Sequence, residues 1–338
     1  MPKTVNLADI ALRLGVSTVT VSKALAGKKG MSAALREKIK ETASELGYKP
    51  VKRSTPVSGT GNIGILVAGR FLHTNNSFYW QLYQRLLSCL LNSKYFGILE
   101  TIPVEDELSC TLPRLLRDKE IDGLIIIGQL NRGYRRFISA AIGAMPLVFL
   151  DSNEVDAEDS YIISDGYYGM YAVTRHLINM GHTDNCFVGA IDETSSILDR
   201  YYGYCRAMHE YKLPILPAIP DRDENGYTDE ASIKLPESLP SAFVCNCDVT
   251  AYYLMGILKK RGIEVPRDIS IAGFDDYMLP GSFFMPITTY AVDMDKMASA
   301  CAARIIQKIL NPGSDCDTRS VIVSGRLVIR DSVRNLDA

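Results

Sequence analysis

A chain of 338 residues, 47% hydrophobic and 22% charged, is long enough for two or three domains with substantial cores. No apolar run approaches the ~20 residues of a membrane-spanning helix, and residues 1–30 lack a basic–apolar–small export pattern, so a cytoplasmic protein with no membrane partner is expected. A net charge of −2 conceals a division, with +7 in residues 1–60 and −9 in the remainder, which points to a polyanion partner for the head alone or, more plainly, to a solvated basic surface.

Asn6 can cap a helix through Leu14, with Asp9 favourable to its dipole and Leu7, Ile10, Ala11 and Leu14 at helical spacing. Gly15 ends it. Ser17 then caps a second helix through about Leu25. Ser32 caps a third, whose stripe is Leu35, Ile39, Ala43 and Leu46 and which Gly47 and Pro50 close. Three short helices with a tight turn between the first two predict a helix-turn-helix. On the second helix Val21, Ala24 and Leu25 suit a buried face. That leaves Thr18, Val19, Ser22 and Lys23 outward, where short side chains can meet base edges and Lys23 a guanine or a phosphate. A plain packing helix is the alternative.

The runs Leu7-Ala8-Asp9-Ile10-Ala11 and Gly15-Val16-Ser17-Thr18-Val19-Thr20-Val21-Ser22-Lys23-Ala24-Leu25, followed by Ser32 through Tyr48-Lys49-Pro50, resemble the headpiece of the LacI/GalR family of bacterial transcriptional regulators. The resemblance implies contacts to double-stranded operator DNA from Asn6, Ser17, Thr18, Val19, Thr20, Ser22, Lys23, Lys28, Lys29, Ser32 and Tyr48. Thr18 and Val19 would select bases, whereas Lys23 replaces a more usual arginine and lacks its planar bidentate donor. The family's next segment folds on the operator and wedges a leucine into the minor groove. Here Val57 takes the leucine's register, but Pro56 removes a donor and restrains Thr55. A flexible linker is expected, with Lys52 and Arg53 on phosphates, or else a plain domain linker.

From Asn62 short apolar runs alternate with amphipathic stretches, the pattern of parallel sheets with crossover helices. Strands are expected at 63–68, 97–101, 123–127, 147–150, 161–163, 185–189, 242–245 and 269–273. Helices are expected near 77–93, 107–119, 132–143, 167–180, 196–211, 249–262 and 294–310. The eight cysteines sit mostly in apolar runs such as Phe243-Val244-Cys245 and read as reduced core thiols. Four histidines without paired metal spacing, no nucleophile elbow and no phosphate loop argue against an enzyme, a metal or a cofactor. Two doubly wound α/β lobes in tandem imply a ligand cleft between them.

Asp165 with Tyr168-Gly169, Arg200-Tyr201-Tyr202-Gly203-Tyr204 and Val265 through Asp276 extend the resemblance. It implies a helix-turn-helix headpiece at 1–50, a linker at 51–61, and an effector-binding and dimerisation domain at 62–338 with the fold of type I periplasmic binding proteins. The first lobe would hold about 62–160 and 292–320, the second about 161–291 and 321–338.

By the same resemblance Asp151, Arg200 and Asp275 bind effector hydroxyls or a carboxylate, as ionised groups do most strongly. Otherwise Asp275 could cap a turn and Arg200 could pair with Asp199 or Asp151. Phe78 and Tyr79 stand at a pocket-lining turn and offer a face to a pyranose or a nucleobase, while Trp80 suits the core. Gln129 completes the set. The family's Asn-Asp pair reads Cys247-Asp248 here, so Asn246 is expected to compensate. Residues 212–241 read as a surface loop from which Asp221, Arg222 and Asp223 could reach the cleft.

The whole predicts a homodimeric DNA-binding repressor relieved by a small carbohydrate. A nucleobase or phosphorylated-metabolite corepressor, or a degenerate cleft sensing a protein, are the alternatives. The absence of a heptad tail favours a dimer, with Leu66, Phe71 and the helix at 77–93 in or behind its face.

Overall fold

The computed structural model describes residues 7–25, 32–46, 59–72, 77–153, 160–277, 285–312 and 320–337. The chain forms two units, Met1–Val57 and Ser58–Ala338.

The first unit holds α1 (Leu7–Leu14), α2 (Thr18–Leu25) and α3 (Ala33–Glu45). Gly15 ends α1 at φ +64°, and the Val16 N–H returns 3.1 Å to the Ala11 carbonyl, so a left-handed residue closes the helix. The Ser17 hydroxyl accepts the Thr20 N–H at 3.1 Å, and that of Ser32 accepts the Leu35 N–H at 3.3 Å, as the capping pattern predicts. Ile10 and Ala11 of α1, Val21 and Ala24 of α2, and Ile39 and Ala43 of α3 form one buried core, with Leu14, Leu25, Leu35 and Leu46 at its margin. The proposed cap Asn6 lies outside the described residues.

The second unit opens with β1 (Asn62–Ala68), α4 (Phe78–Asn92), β2 (Phe96–Ile102), α5 (Val104–Ser109), α6 (Arg114–Arg117), β3 (Gly123–Ile127), α7 (Arg132–Ile142), β4 (Leu147–Leu150) and β5 (Tyr161–Ser164). There follow α8 (Gly166–Asn179), β6 (Asn185–Val188), α9 (Ser195–Glu210), β7 (Ala242–Cys245), α10 (Asp248–Lys260), β8 (Ser270–Asp275), β9 (Thr288–Ala291), α11 (Met294–Leu310), β10 (Val321–Val323) and β11 (Arg326–Val328). One sheet runs β10-β5-β4-β3-β1-β2, all parallel; the other runs β11-β9-β8-β7-β6, with only β11 antiparallel. The central strands β3 and β4 are buried throughout, as expected of parallel sheets covered on both faces.

The chain passes between sheets three times, after Ser164, after Ala291 and after Val323. The sequence-based lobe boundaries near 160 and 320 therefore fall one strand early. Tyr161–Ser164 pairs with β4 and Val321–Val323 with β5, so both belong to the first lobe. The helix expected over 107–119 is two short helices. Cys110, at φ +53°, ends the first, and Pro113 precedes the second, whose Arg114 and Leu115 N–H groups bind the Glu100 carboxylate at 2.8 and 2.9 Å. Strands β9, β10 and β11 were not foreseen. Leu66 and Phe71 are buried in the first lobe's own core, which leaves them a place behind a dimer face and not in it. Exposed apolar surface near α4 comes instead from Leu91 and Phe96. Among the described residues no helix is long and apolar enough to cross a membrane.

Candidate functional site

In the first unit the short caps place the outer face of α2. Thr18 and Lys23 are exposed. Ser17 is also exposed, but its hydroxyl is shared between the Thr20 N–H and the Thr20 hydroxyl, 2.9 Å away. Ser32 is exposed at the start of α3. Val19 and Ser22 lie on α2, and the placement of their side chains is outside the described set, as are Asn6, Lys28, Lys29, Tyr48, Lys52, Arg53 and Val57 entirely.

The second unit encloses a cavity of about 130 Å³ lined by residues of both lobes. The first lobe supplies Arg70, Phe78, Tyr79 and Asp151; the second supplies Arg200, Asn246, Cys247 and Asp275. Each charged group stands where a sheet ends or a helix begins. Asp151 follows β4 at φ +61°, Asp275 ends β8 at φ +104°, and Arg200 lies in the second turn of α9, whose start Thr194 caps by accepting the Ile197 N–H. Asp151 accepts the Tyr79 hydroxyl at 3.0 Å and the Ser164 hydroxyl at 3.4 Å. Arg200 donates to Asp275 at 3.1 Å and to the Asn246 carbonyl at 2.8 Å, and its guanidinium lies 4.0 Å from the centre of the Phe274 ring. Sequence alternatives that paired Arg200 with Asp199 give way here to Asp275; Asp199 instead accepts from Asn153 at 3.2 Å.

Burial dominates the acidities. It pushes the Asp151 carboxyl up, against the opposing pull of Arg200, and lifts Asp275 to about 7 in spite of the same guanidinium. The Tyr79 hydroxyl, buried beside Asp151, is driven well above its ordinary value, so it stays a donor. Cys247 is pushed up to about 11 by burial, so it stands in the cavity wall as a neutral thiol.

Two expectations are revised by the geometry. Gln129 does not line the cavity: its side-chain carbonyl crosses the cleft to accept the Ser195 N–H at 2.7 Å, and so spends its acceptor on joining the lobes. Residues 212–241 are more than a surface loop. Asp221 is fully buried, and Arg222, Tyr227 and Thr228 reach the cavity wall. Asn246 does line the cavity. Its amide donates to Asp221 at 2.6 Å and to the Val188 carbonyl at 3.2 Å, while its own Oδ1 has no partner. Trp80 packs against the first core beside Tyr83, as its sequence context suggested.

A model of bacterial regulatory proteins of the lacI family matches residues 6–51, and a model of the periplasmic binding protein-like domain matches residues 174–333. The ribose operon repressor of Haemophilus influenzae is 28% identical over 337 residues, spanning 98% of this chain and 99% of that protein. The chain belongs to the LacI/GalR family. The HTH-type transcriptional repressor PurR of Vibrio parahaemolyticus is 27% identical over 98% of this chain and 99% of its own. Among solved structures, the lac repressor dimer bound to operator and the anti-inducer ONPF has a TM-score of 0.65 at 22% identity, over 98% of this chain and 100% of that one. A LacI family transcriptional regulator from Enterococcus faecium with bound ribose has a TM-score of 0.67 at 22% identity, over 81% and 99%. These likenesses show the shared fold. As a LacI/GalR member the chain is a DNA-binding repressor in which a helix-turn-helix precedes two α/β lobes.

Proposed function

We propose that this repressor acts in the cytoplasm as a homodimer. In this reading α2 reads operator bases through Thr18 and Val19 with Lys23 beside them, and a small carbohydrate in the inter-lobe cavity relieves binding. The observation that carries the effector reading is that buried Asp151 of the first lobe and buried Arg200 and Asp275 of the second line one cavity. Carboxyl groups and a guanidinium placed together suit a ligand whose hydroxyls both donate and accept. Phe78 supplies an aromatic face for the apolar side of a sugar ring. The names of two similar proteins support the same class: one is a ribose operon repressor, the other a regulator with bound ribose. Leu91 and Phe96, exposed on α4 and the edge strand β2, give a homodimer an apolar patch.

A gel-shift titration of the full chain on its own promoter region tests this directly. A sequence-specific complex should form and be released by one or a few monosaccharides. Binding no stronger to promoter than to random duplex would refute the operator reading. A stable specific complex that no sugar displaces would refute the carbohydrate effector.

A further inference from the structure

The 212–241 segment puts a third guanidinium on the cavity wall, and among the described residues it is the one of the three with no hydrogen-bonded carboxylate. Asp221 pins the segment in place: one oxygen accepts the Ala190 N–H at 2.9 Å, the other accepts from Asn246 at 2.6 Å and from the Thr250 hydroxyl at 2.5 Å. Arg222, next in the chain, is thereby held in the wall with a side chain 12% exposed, its Nη1 donating to the Gly226 carbonyl at 3.2 Å. Arg70 approaches the same glycine from the other lobe, with its Cδ 3.1 Å from where a Gly226 Cβ would stand.

The cavity is lined by three arginines, 70, 200 and 222, but by only two carboxylates, Asp151 and Asp275. Arg200 is hydrogen-bonded to Asp275 at 3.1 Å, and Arg70 to Glu107 at 2.5 Å. Among the described residues Arg222 pairs with Asp221 Oδ1, 3.7 Å from its Nε and beyond hydrogen-bond distance, and both Asp221 oxygens are already engaged. Its Nε has no hydrogen-bond partner, as is also true of Arg70 and Arg200, so the difference lies in the missing carboxylate bond. A guanidinium so placed gains most from an oxyanion, because charge-assisted bonds strengthen as water is excluded and the planar fork matches a carboxylate or a phosphate.

We propose that the ligand of this cavity is an acidic sugar, one that bears a carboxylate or a phosphate against Arg222 while its hydroxyls meet Asp151, Arg200 and Asp275. The inference rests on the carbohydrate reading above and narrows it. Asp151 and Asp275 do not forbid an anion: one is engaged by Tyr79 and Ser164, the other by Arg200, and burial pushes both toward their neutral forms. Two further carboxylates stand near Gly226: Glu193, 4.0 Å from Arg70, and Asp223, which accepts the Asn225 and Tyr227 N–H groups at 3.0 and 2.8 Å.

Calorimetric titration of the full chain with three panels decides it: neutral monosaccharides, the corresponding aldonic and uronic acids, and the corresponding sugar phosphates. One acidic panel should contain a ligand bound at least about tenfold more tightly than its neutral counterpart, and which panel it is separates carboxylate from phosphate. Arg222→Gln should erase that preference and Arg222→Lys should restore part of it. If Arg222→Gln does not fold, the comparison of panels on the unaltered protein stands alone. A neutral sugar bound as tightly as its acidic counterparts, or an acidic ligand indifferent to Arg222→Gln, overturns this inference and leaves the carbohydrate reading intact. Binding from no panel removes both.

Discussion

Arg200 is the residue on which the cavity's polar groups converge. It donates to Asp275 and to the Asn246 carbonyl, lies against Phe274, and is buried. Replacing it with alanine leaves Asp275 a buried carboxyl without its cation and, on the proposed reading, takes a charged donor from the effector. Arg200→Ala should therefore weaken effector binding by more than about tenfold, measured by calorimetry, and abolish effector-driven release of operator. Asp275 makes a second prediction through pH. Its carboxyl titrates near 7 in the folded protein and near the ordinary carboxylate range when unfolded, so the native state binds the extra proton between those values. Stability contributed by this proton is fully present at acid pH and is lost as pH rises toward 7. Burial raises Asp151 and Asp248 in the same direction. In Asp275→Asn the loss of stability between about pH 4 and pH 7, followed by urea unfolding at each pH, should be shallower than in the parent. An unchanged slope would show that Asp275 does not titrate in this window.

Among the elements, α2 carries the DNA prediction. Lys23 is exposed, and no ion pair is recorded for it among the described residues, whereas Arg13 of α1 faces Glu45 at 3.8 Å. If Lys23 reaches a phosphate, Lys23→Ala should weaken binding to all duplexes alike and reduce the salt slope by about one counterion. If it reads a base, the loss should fall on operator alone. A gel-shift series at several salt concentrations distinguishes the two. How much of this was legible in the sequence depends on locality. The headpiece helices could be read because their caps, stripes and stops lie within a few residues of one another. Strands β10 and β11 were not legible: each has three residues, partly exposed and without a sustained alternation. Asp151, Arg200 and Asp275 could be placed through the family resemblance. Arg222 could be named only as able to reach the cleft from a surface loop, because Asp221, which anchors that loop, is fixed by Ala190, Asn246 and Thr250, all distant in sequence. Gln129 was misassigned for a related reason, since its partner Ser195 belongs to the other lobe.

At the scale of the second unit, the lobes are joined by three short crossings and by side chains that meet across the cleft. Gln129 accepts from the Ser195 N–H, Asn153 donates to Asp199, and Arg70 lies 4.0 Å from Glu193. Where the linker ends, the N–H groups of Thr60 and Gly61 bind the Asp122 carboxylate at 2.8 and 2.7 Å, so the entry to β1 is tied to the start of β3 in the first lobe. A ligand that changes how the lobes meet therefore acts on the body to which the linker is anchored. In an effector-relieved repressor the effector favours one lobe arrangement and operator another, and each must weaken the other by the same factor. Couplings of this kind are typically about 5–150-fold. The effector's dissociation constant should be measured with and without saturating operator duplex, and the operator's with and without saturating effector. The two ratios should agree. Gln129→Ala, which removes the acceptor for Ser195, should change this common factor. A coupling that appears in one measurement and not in the other would break the thermodynamic cycle and show that release of operator has another cause.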